Sequence, residues 1–203
     1  MFDARLRPLI DPPLNAAGRS IAAAGISADA LTLAGAAVGV GAGVSIAFEN
    51  YLLGLGLVLV SRILDGLDGA VARATSITDF GGYLDILADF VFYVAVPVGF
   101  GLAAPANAIP ALILAGAFAL TGVSFLSFAA VAGRRGETTT AHGAKSFFYS
   151  TGIAEGAETI AAFIAMCLFP NLFGVIAYGY AALCVITVAQ RTLIARRQFR
   201  QDD

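Results

Sequence analysis

Apolar residues gather in six long stretches along this chain, near 29 to 48, 52 to 73, 82 to 103, 109 to 132, 151 to 169 and 172 to 194. Each is close to the roughly 20 residues that a helix needs to cross a hydrocarbon core about 30 Å thick. The polar breaks between them are short, as in "FENY" (48 to 51), "AAPANA" (103 to 108) and "FPNLFG" (169 to 174). This pattern predicts an all-α integral membrane protein, a single membrane domain over 1 to 203 whose six transmembrane helices form one bundle over 29 to 194. Ahead of the bundle, Leu6, Leu9, Ile10, Leu14 and Ile21 alternate with Arg5, Arg7 and Arg19. That mixture predicts an amphipathic helix lying on the cytoplasmic interface over 2 to 25, broken at Pro12 and Pro13. Charges and prolines interrupt it before any apolar run of signal-peptide length. Residues 195 to 203 are expected to form a cytoplasmic tail.

Composition sharpens the choice of solvent. Of 203 residues, 59% are hydrophobic and 13% charged, and the mean hydropathy is +0.83, which excludes an ordinary water-soluble domain. The 23 glycines suit helices that approach closely in lipid. A net charge of -2 carries no information about partners, and nothing points to a nucleic acid. The placement of the basic residues is informative. Arg5, Arg7, Arg19, Arg73, Arg134, Arg135, Lys145, Arg191, Arg196, Arg197 and Arg200 fall on alternate connections and at both ends, while the three opposite connections have no Lys or Arg. Both termini are therefore expected in the cytoplasm of a bacterial or archaeal cell, with the protein in its inner membrane. Cys167 and Cys184 lack metal-ligand spacing and read as small buried hydrophobes.

The segment "SRILDGLDGAVARATSITDFGGYLDILADF" (61 to 90) places Asp65, Asp68, Asp85 and Asp89 within two of the spans. Each ionisable side chain near the bilayer centre costs at least about 2.5 kcal/mol, so something must offset the cluster. Asp65 and Asp68 are spaced i, i+3 and Asp85 and Asp89 i, i+4, so each pair projects from one helix face. The short turn around "TSITD" makes the two helices antiparallel neighbours, and four carboxylates then converge near the cytoplasmic end. Oxygen ligands without nitrogen or sulfur suit hard divalent cations, and two ions would balance the charge. Gly66 and Gly69 thin the second span beside its carboxylates, and Gly81 and Gly82 open the third. Arg73, where the second span leaves the membrane, is placed to pair with a phosphate.

Two other readings compete. The aspartates can form ion pairs with Arg62, although one deeply placed arginine leaves most of the negative charge uncompensated. Alternatively, the carboxylates can serve a transporter or channel as a divalent-cation site, although no internal repeat of the kind common in transporters is visible.

Asp65-x-x-Asp68-Gly69-x-x-Ala72-Arg73, seven residues, then Gly81-x-x-x-Asp85-x-x-x-Asp89 resembles the signature of the CDP-alcohol phosphatidyltransferase family, with all eight positions filled over 25 residues. The six-span topology and the interfacial N-terminal helix are similar to the family's in outline. Members often have Pro-Asn-x-x-Thr before the first span; here Ala28 and Asp29 replace Pro and Asn, and Thr32 is kept. The resemblance implies a phospholipid-synthesising transferase that moves a phosphatidyl group from a CDP-linked lipid, CDP-diacylglycerol above all, to a small alcohol acceptor with release of CMP. It implies Asp65, Asp68 and Asp85 as ligands of two divalent cations, Mg²⁺ or Mn²⁺, with Asp89 a shared ligand or the general base. Gly69, Ala72, Arg73 and Thr32 then belong to the nucleotide site. A homodimer with one site per protomer is also implied.

The acceptor is less legible. Glu155 and Glu158, spaced i, i+3 at the start of the fifth span, either pair with Arg62 or Arg191 or line an acceptor pocket together with Lys145. His142 reads as a bystander in the same loop.

Overall fold

The computed structural model describes residues 3–135 and 152–200. Among the described residues, seven α-helices follow one another: α1 (Asp3–Ala23), α2 (Ala28–Ala47), α3 (Tyr51–Ala74), α4 (Asp79–Ala103), α5 (Ala108–Arg134), α6 (Gly156–Leu168) and α7 (Phe173–Arg200). Single 3₁₀ turns at Pro105–Asn107 and Pro170–Leu172 precede α5 and α7. Local chemistry sets several of the ends. Ser27 caps α2 by accepting from the Ala30 amide at 3.3 Å, and Thr78 caps α4 by accepting from the Gly81 amide at 3.0 Å. Gly25 turns the chain between α1 and α2 at φ 80°, a left-handed conformation that glycine adopts without steric cost.

Among the described residues, four helical segments are long and apolar enough to cross a membrane: Ala28–Ala47, Asp79–Ala103, Pro105–Arg134 and Pro170–Arg200. Two of the expected spans differ from that description. Helix α3 has sufficient length, 24 residues, but contains Arg62, Asp65, Asp68 and Arg73. Helix α6 has only 13 residues. Its expected start at 151 moves to Gly156 because the preceding backbone is held otherwise. Thr187 Oγ1 on α7 accepts from the amides of Ile153 and Ala154 at 3.2 and 3.0 Å, and Glu155 Oε1 accepts from Gly152 N at 3.2 Å.

The expected break at Pro12 and Pro13 does not occur, since α1 runs unbroken through both. A proline removes an amide donor and frees the carbonyl four residues earlier. Both prolines lie on the exposed side of α1, where water can satisfy what they release. The covered side follows helical spacing, with Leu14, Gly18 and Ile21 turned inward, and it packs on α3. A Cβ on Gly18 would lie 2.6 Å from the Ala70 Cβ, so glycine is what lets these two helices touch. At the other end of the chain α7 continues through Arg200, six residues past the expected end of the span at 194, with Arg197 and Arg200 in its last turn, where cations complement the helix dipole.

Helix α2 packs most closely, lying against both α3 and α4. Gly43 and Gly99 bring α2 and α4 into backbone contact, because a Cβ on Gly43 would overlap the Ala95 carbonyl and one on Gly99 the Gly43 carbonyl. Beside this group α4, α6 and α7 meet through aromatic rings. Phe100 stacks on Phe173 with centroids 4.4 Å apart, and Phe92 meets Phe163 edge to face at 5.5 Å. This packing fixes the rotation of α4 against α3, and so decides which faces of the two aspartate-bearing helices look at each other.

Candidate active site

The turn between α3 and α4 occupies only residues 75–78, so the C-terminal half of α3 faces the N-terminal half of α4. Asp65 and Asp68 come from the first and Asp85 from the second. Each offers a carboxylate oxygen, and the three oxygens all lie within 4.8 Å of one another. Oxygens on opposite sides of a single Mg²⁺ stand about 4.2 Å apart, so shifts of a few tenths of an ångström allow these three to share a cation. The donor set is oxygen only, which selects Mg²⁺, Mn²⁺ or Ca²⁺ over softer metals. Burial is graded across the cradle: Asp68 is 5% exposed, Asp65 is half-buried and Asp85 is open to solvent. One wall is therefore fixed while the other admits a ligand.

Asp68 is oriented from α2. Thr32, itself buried, places its hydroxyl 2.6 Å from Asp68 Oδ2 and 3.1 Å from the Ala28 carbonyl, and the charged oxygen is the stronger acceptor for its one proton. Thr32 thus stands against a carboxylate of the cradle. Asp29 lies over the start of α4, its Oδ1 3.3 Å from where a Cβ on Gly81 would be. Asp29, where the resemblance leads one to expect Asn, thus stands beside the first turn of α4.

The fourth aspartate stands apart from the three-oxygen group. Asp89 Oδ1 accepts from Arg62 Nη1 at 2.6 Å, while the same nitrogen is 3.5 Å from Asp65 Oδ1. The Arg62 guanidinium lies over the Phe92 ring with Cζ 3.8 Å from the centroid, and its Nη2 approaches Ser61 Oγ at 3.3 Å. Ser61 in turn donates to the Gly35 carbonyl of α2 at 2.8 Å. Of the aspartates that can pair with it, Arg62 is therefore held most closely by Asp89, with Asp65 the second partner. Its charge links the cradle to the fourth carboxylate.

Arg73 is exposed at the end of α3 and donates through Nε and Nη2 to Asn15 Oδ1 of α1, at 3.2 and 2.9 Å. A Cβ on Gly69 would sit 3.2 Å from Arg73 Nη1, so this glycine leaves room for the guanidinium to fold back along its own helix. Ala72 adjoins Arg73 on the same turn. Sequence reasoning missed Asn15 because no local spacing connects it with a residue 58 positions later.

Glu155 stands at the N-terminal boundary of α6 with its side chain turned back to accept from the Gly152 amide, and its carbonyl receives the Thr159 hydroxyl at 2.9 Å. Thr159 is 2.7 Å from the Tyr180 hydroxyl. Arg191 donates to the Thr121 carbonyl and to Ser124 Oγ at 2.9 and 2.6 Å, tying α7 to α5. Glu158 lies in the first turn of α6, half-buried. Lys145 and His142 lie outside the described residues.

An oxygen-only cluster of three carboxylates between two helices of an apolar bundle fits a divalent cation held within a membrane protein. The chain belongs to the CDP-alcohol phosphatidyltransferase family, whose profile it matches over residues 26–190. It is a phospholipid-synthesising transferase that carries a substituted phosphate group from a CDP-linked lipid to an alcohol. The competing reading as a cation transporter gives way to this assignment. The inner membrane protein YnjF of Escherichia coli is 46% identical over 192 residues, spanning 94% of this chain and 93% of the relative. An archaetidylinositol phosphate synthase of Pyrococcus horikoshii is 29% identical over 195 residues, 96% of each chain. The fold is shared with phosphatidylinositol phosphate synthase of Mycobacterium tuberculosis. The structure with CDP-DAG bound superposes with a TM-score of 0.71 at 21% identity, covering 90% of this chain and 93% of the other. The structure in complex with manganese and citrate gives 0.72 at 22% identity, covering 90% and 88%.

Proposed function

We propose that this enzyme transfers the phosphatidyl group of CDP-diacylglycerol to the hydroxyl of a small polar alcohol, with release of CMP. The observation that carries the reading is the convergence of Asp65, Asp68 and Asp85 on one cradle open on the Asp85 side. The neighbour with CDP-DAG bound supports the donor, and the two named phosphatidylinositol phosphate and archaetidylinositol phosphate synthases support a polyol acceptor. Asp65, Asp68 and Asp85 would hold two divalent ions, Mg²⁺ or Mn²⁺, which neutralise the diphosphate and the departing CMP. Arg73, with Gly69 and Ala72 on the same turn of α3, would contact the cytidine and diphosphate. Thr32 orients Asp68 within this site.

Asp89 is the proton acceptor in this reading. Its Oδ1 is occupied by Arg62, which leaves Oδ2 to take the proton of the acceptor hydroxyl. As the proton leaves, the hydroxyl oxygen attacks the β-phosphorus, the bond from that phosphorus to the bridging oxygen breaks, and CMP departs with the electron pair. Glu155 and Glu158 of α6, with Lys145, would line the alcohol pocket.

The reading extends to the setting. All six apolar stretches would cross a bacterial inner membrane, as the inner membrane relative supports, with α1 on the cytoplasmic interface and both termini and the active site cytoplasmic. Asp68 is held by Thr32 and Asp65 lies 3.5 Å from Arg62 Nη1 inside the bundle, which would lower the cost of carrying α3 across lipid. Two chains would pair as a homodimer with one site in each, to be checked by the particle mass in nanodiscs.

The deciding experiment incubates purified protein with CDP-diacylglycerol and candidate alcohols, and measures CMP. Stoichiometric CMP is expected with Mg²⁺ or Mn²⁺, none with EDTA, and none from Asp65→Asn or Asp68→Asn at any metal concentration. Full turnover in EDTA would rule the reading out.

A further inference from the structure

We infer that Asn15 of the N-terminal helix is a positioning residue of the nucleotide site, holding the Arg73 guanidinium in the orientation in which it meets phosphate. The inference rests on the proposed role of Arg73 as a diphosphate contact.

A guanidinium has five N–H groups in one plane, and its value for phosphate lies in presenting a fixed pair of them. On an exposed helix end a free arginine side chain samples many rotamers, and binding must then stop that motion. Here Nε and Nη2 share the Asn15 carbonyl oxygen at 3.2 and 2.9 Å, a two-pronged contact that fixes the plane of the group. The opposite edge is set by Gly69, where a Cβ would stand 3.2 Å from Nη1. The guanidinium is thus gripped on one side by α1 and given space on the other by its own helix.

The identity of the acceptor matters as well as its position. An aspartate at residue 15 would hold the same N–H pair but would cancel the charge that attracts a phosphate. An asparagine carbonyl orients the cation and leaves its charge intact. Asn15 is in turn fixed by its helix. Leu14 packs on α3 beside Gly66, where a Cβ would come within 3.1 Å of Leu14 Cδ1, and Gly18 seats against Ala70. Residues 14, 15 and 18 lie on one stripe of α1, so the packing that docks the helix also registers Asn15 on Arg73. On this inference α1 is a wall of the active site in addition to an interfacial element.

The test is a double-mutant cycle read by CMP binding, with calorimetry in detergent and Mn²⁺ present. Asn15→Ala is on a half-buried helical position and favours the helix, so folding is expected to survive; the thermal midpoint is recorded alongside. The single variant is expected to bind CMP on the order of threefold to tenfold more weakly. In turnover it should raise the KM for the CDP-linked lipid while kcat changes less than about twofold, the split expected of lost ground-state binding. Arg73→Ala should weaken CMP more, and adding Asn15→Ala to it should cost nothing further. Unchanged CMP affinity in Asn15→Ala would overturn the inference, as would an equal loss from Asn15→Ala with and without Arg73, which marks a purely structural role. Wild-type CMP affinity in Arg73→Ala would overturn the reading of Arg73 itself, and this role with it.

Discussion

Thr32 Oγ1 lies 2.6 Å from Asp68 Oδ2, a contact between α2 and α3 in which both side chains are buried. A hydrogen bond to a buried carboxylate fixes the rotamer that the metal must find. Thr32→Val keeps the shape and removes the donor. Outer contacts of this kind are worth roughly 10-fold to 100-fold in metal affinity. Mn²⁺ titration of Thr32→Val by calorimetry should show a loss in that range with little change in folding. Affinity within twofold of wild type would mean that Asp68 needs no support from α2.

The Arg62 side chain is 11% exposed and paired to Asp89, whose side chain is 32% exposed. Arg62→Met removes the cation and its stacking on Phe92, and leaves Asp65 and Asp89 facing each other without compensation. Leaving one charged partner unsatisfied costs about 1–3 kcal/mol, toward the lower end here because Asp89 retains access to water. A lower thermal midpoint in metal-free detergent is expected, with part of the loss recovered on adding Mn²⁺, whose charge replaces that of the arginine. A melting curve superimposable on wild type in metal-free buffer would show the pair to be incidental.

Which parts of this arrangement are readable from sequence follows from the range of the forces that set them. The apolar runs of α2 and α3 predict their ends to within a residue, because the polar breaks that bound each run act locally. Of the four carboxylates that i, i+3 and i, i+4 spacing and a four-residue turn lead one to expect together, Asp65, Asp68 and Asp85 do gather, and Asp89 lies outside the group. The partner of Arg62 is not legible, because Asp65 is the nearer residue in sequence, yet the rotation of α4, set by Gly43, Gly99 and the aromatic contacts, presents Asp89 instead. The late start of α6 depends on Thr187, more than thirty residues away, and Pro12–Pro13 survive in α1 only because that face is exposed.

Gly43 and Gly99 make the packing of α2 on α4 a point of fragility. A leucine at either position places its Cβ in a backbone carbonyl, and the helices must separate to admit it. Overpacking usually costs about 1–3 kcal/mol, and more where backbone is the obstacle. Gly43→Leu should lower the thermal midpoint. Because separation also shifts Asp85 relative to Asp65 and Asp68, Mn²⁺ affinity should fall with it. Gly116→Leu, at a glycine with open space around it, is the control and should melt like wild type. If Gly43→Leu matches that control, the close approach of α2 and α4 is not required.

Asp89→Asn separates binding from chemistry. Asp89 lies outside the three-oxygen group and Arg62 holds its Oδ1, so its amide counterpart can still accept that hydrogen bond while losing basicity. The cradle of Asp65, Asp68 and Asp85 is untouched, and Mn²⁺ and CMP should bind with near-normal affinity. Transfer should slow by roughly 10² to 10⁴, the range associated with loss of a general base. Affinity by calorimetry and CMP formation by radiolabel, on one preparation, give both quantities. A collapse of metal affinity alongside rate would make Asp89 chiefly a ligand, drawn into the cradle when the ions arrive, and would place the base elsewhere. A rate close to wild type would remove Asp89 from the chemistry altogether, and its pairing with Arg62 would then remain as a structural bolt between α3 and α4.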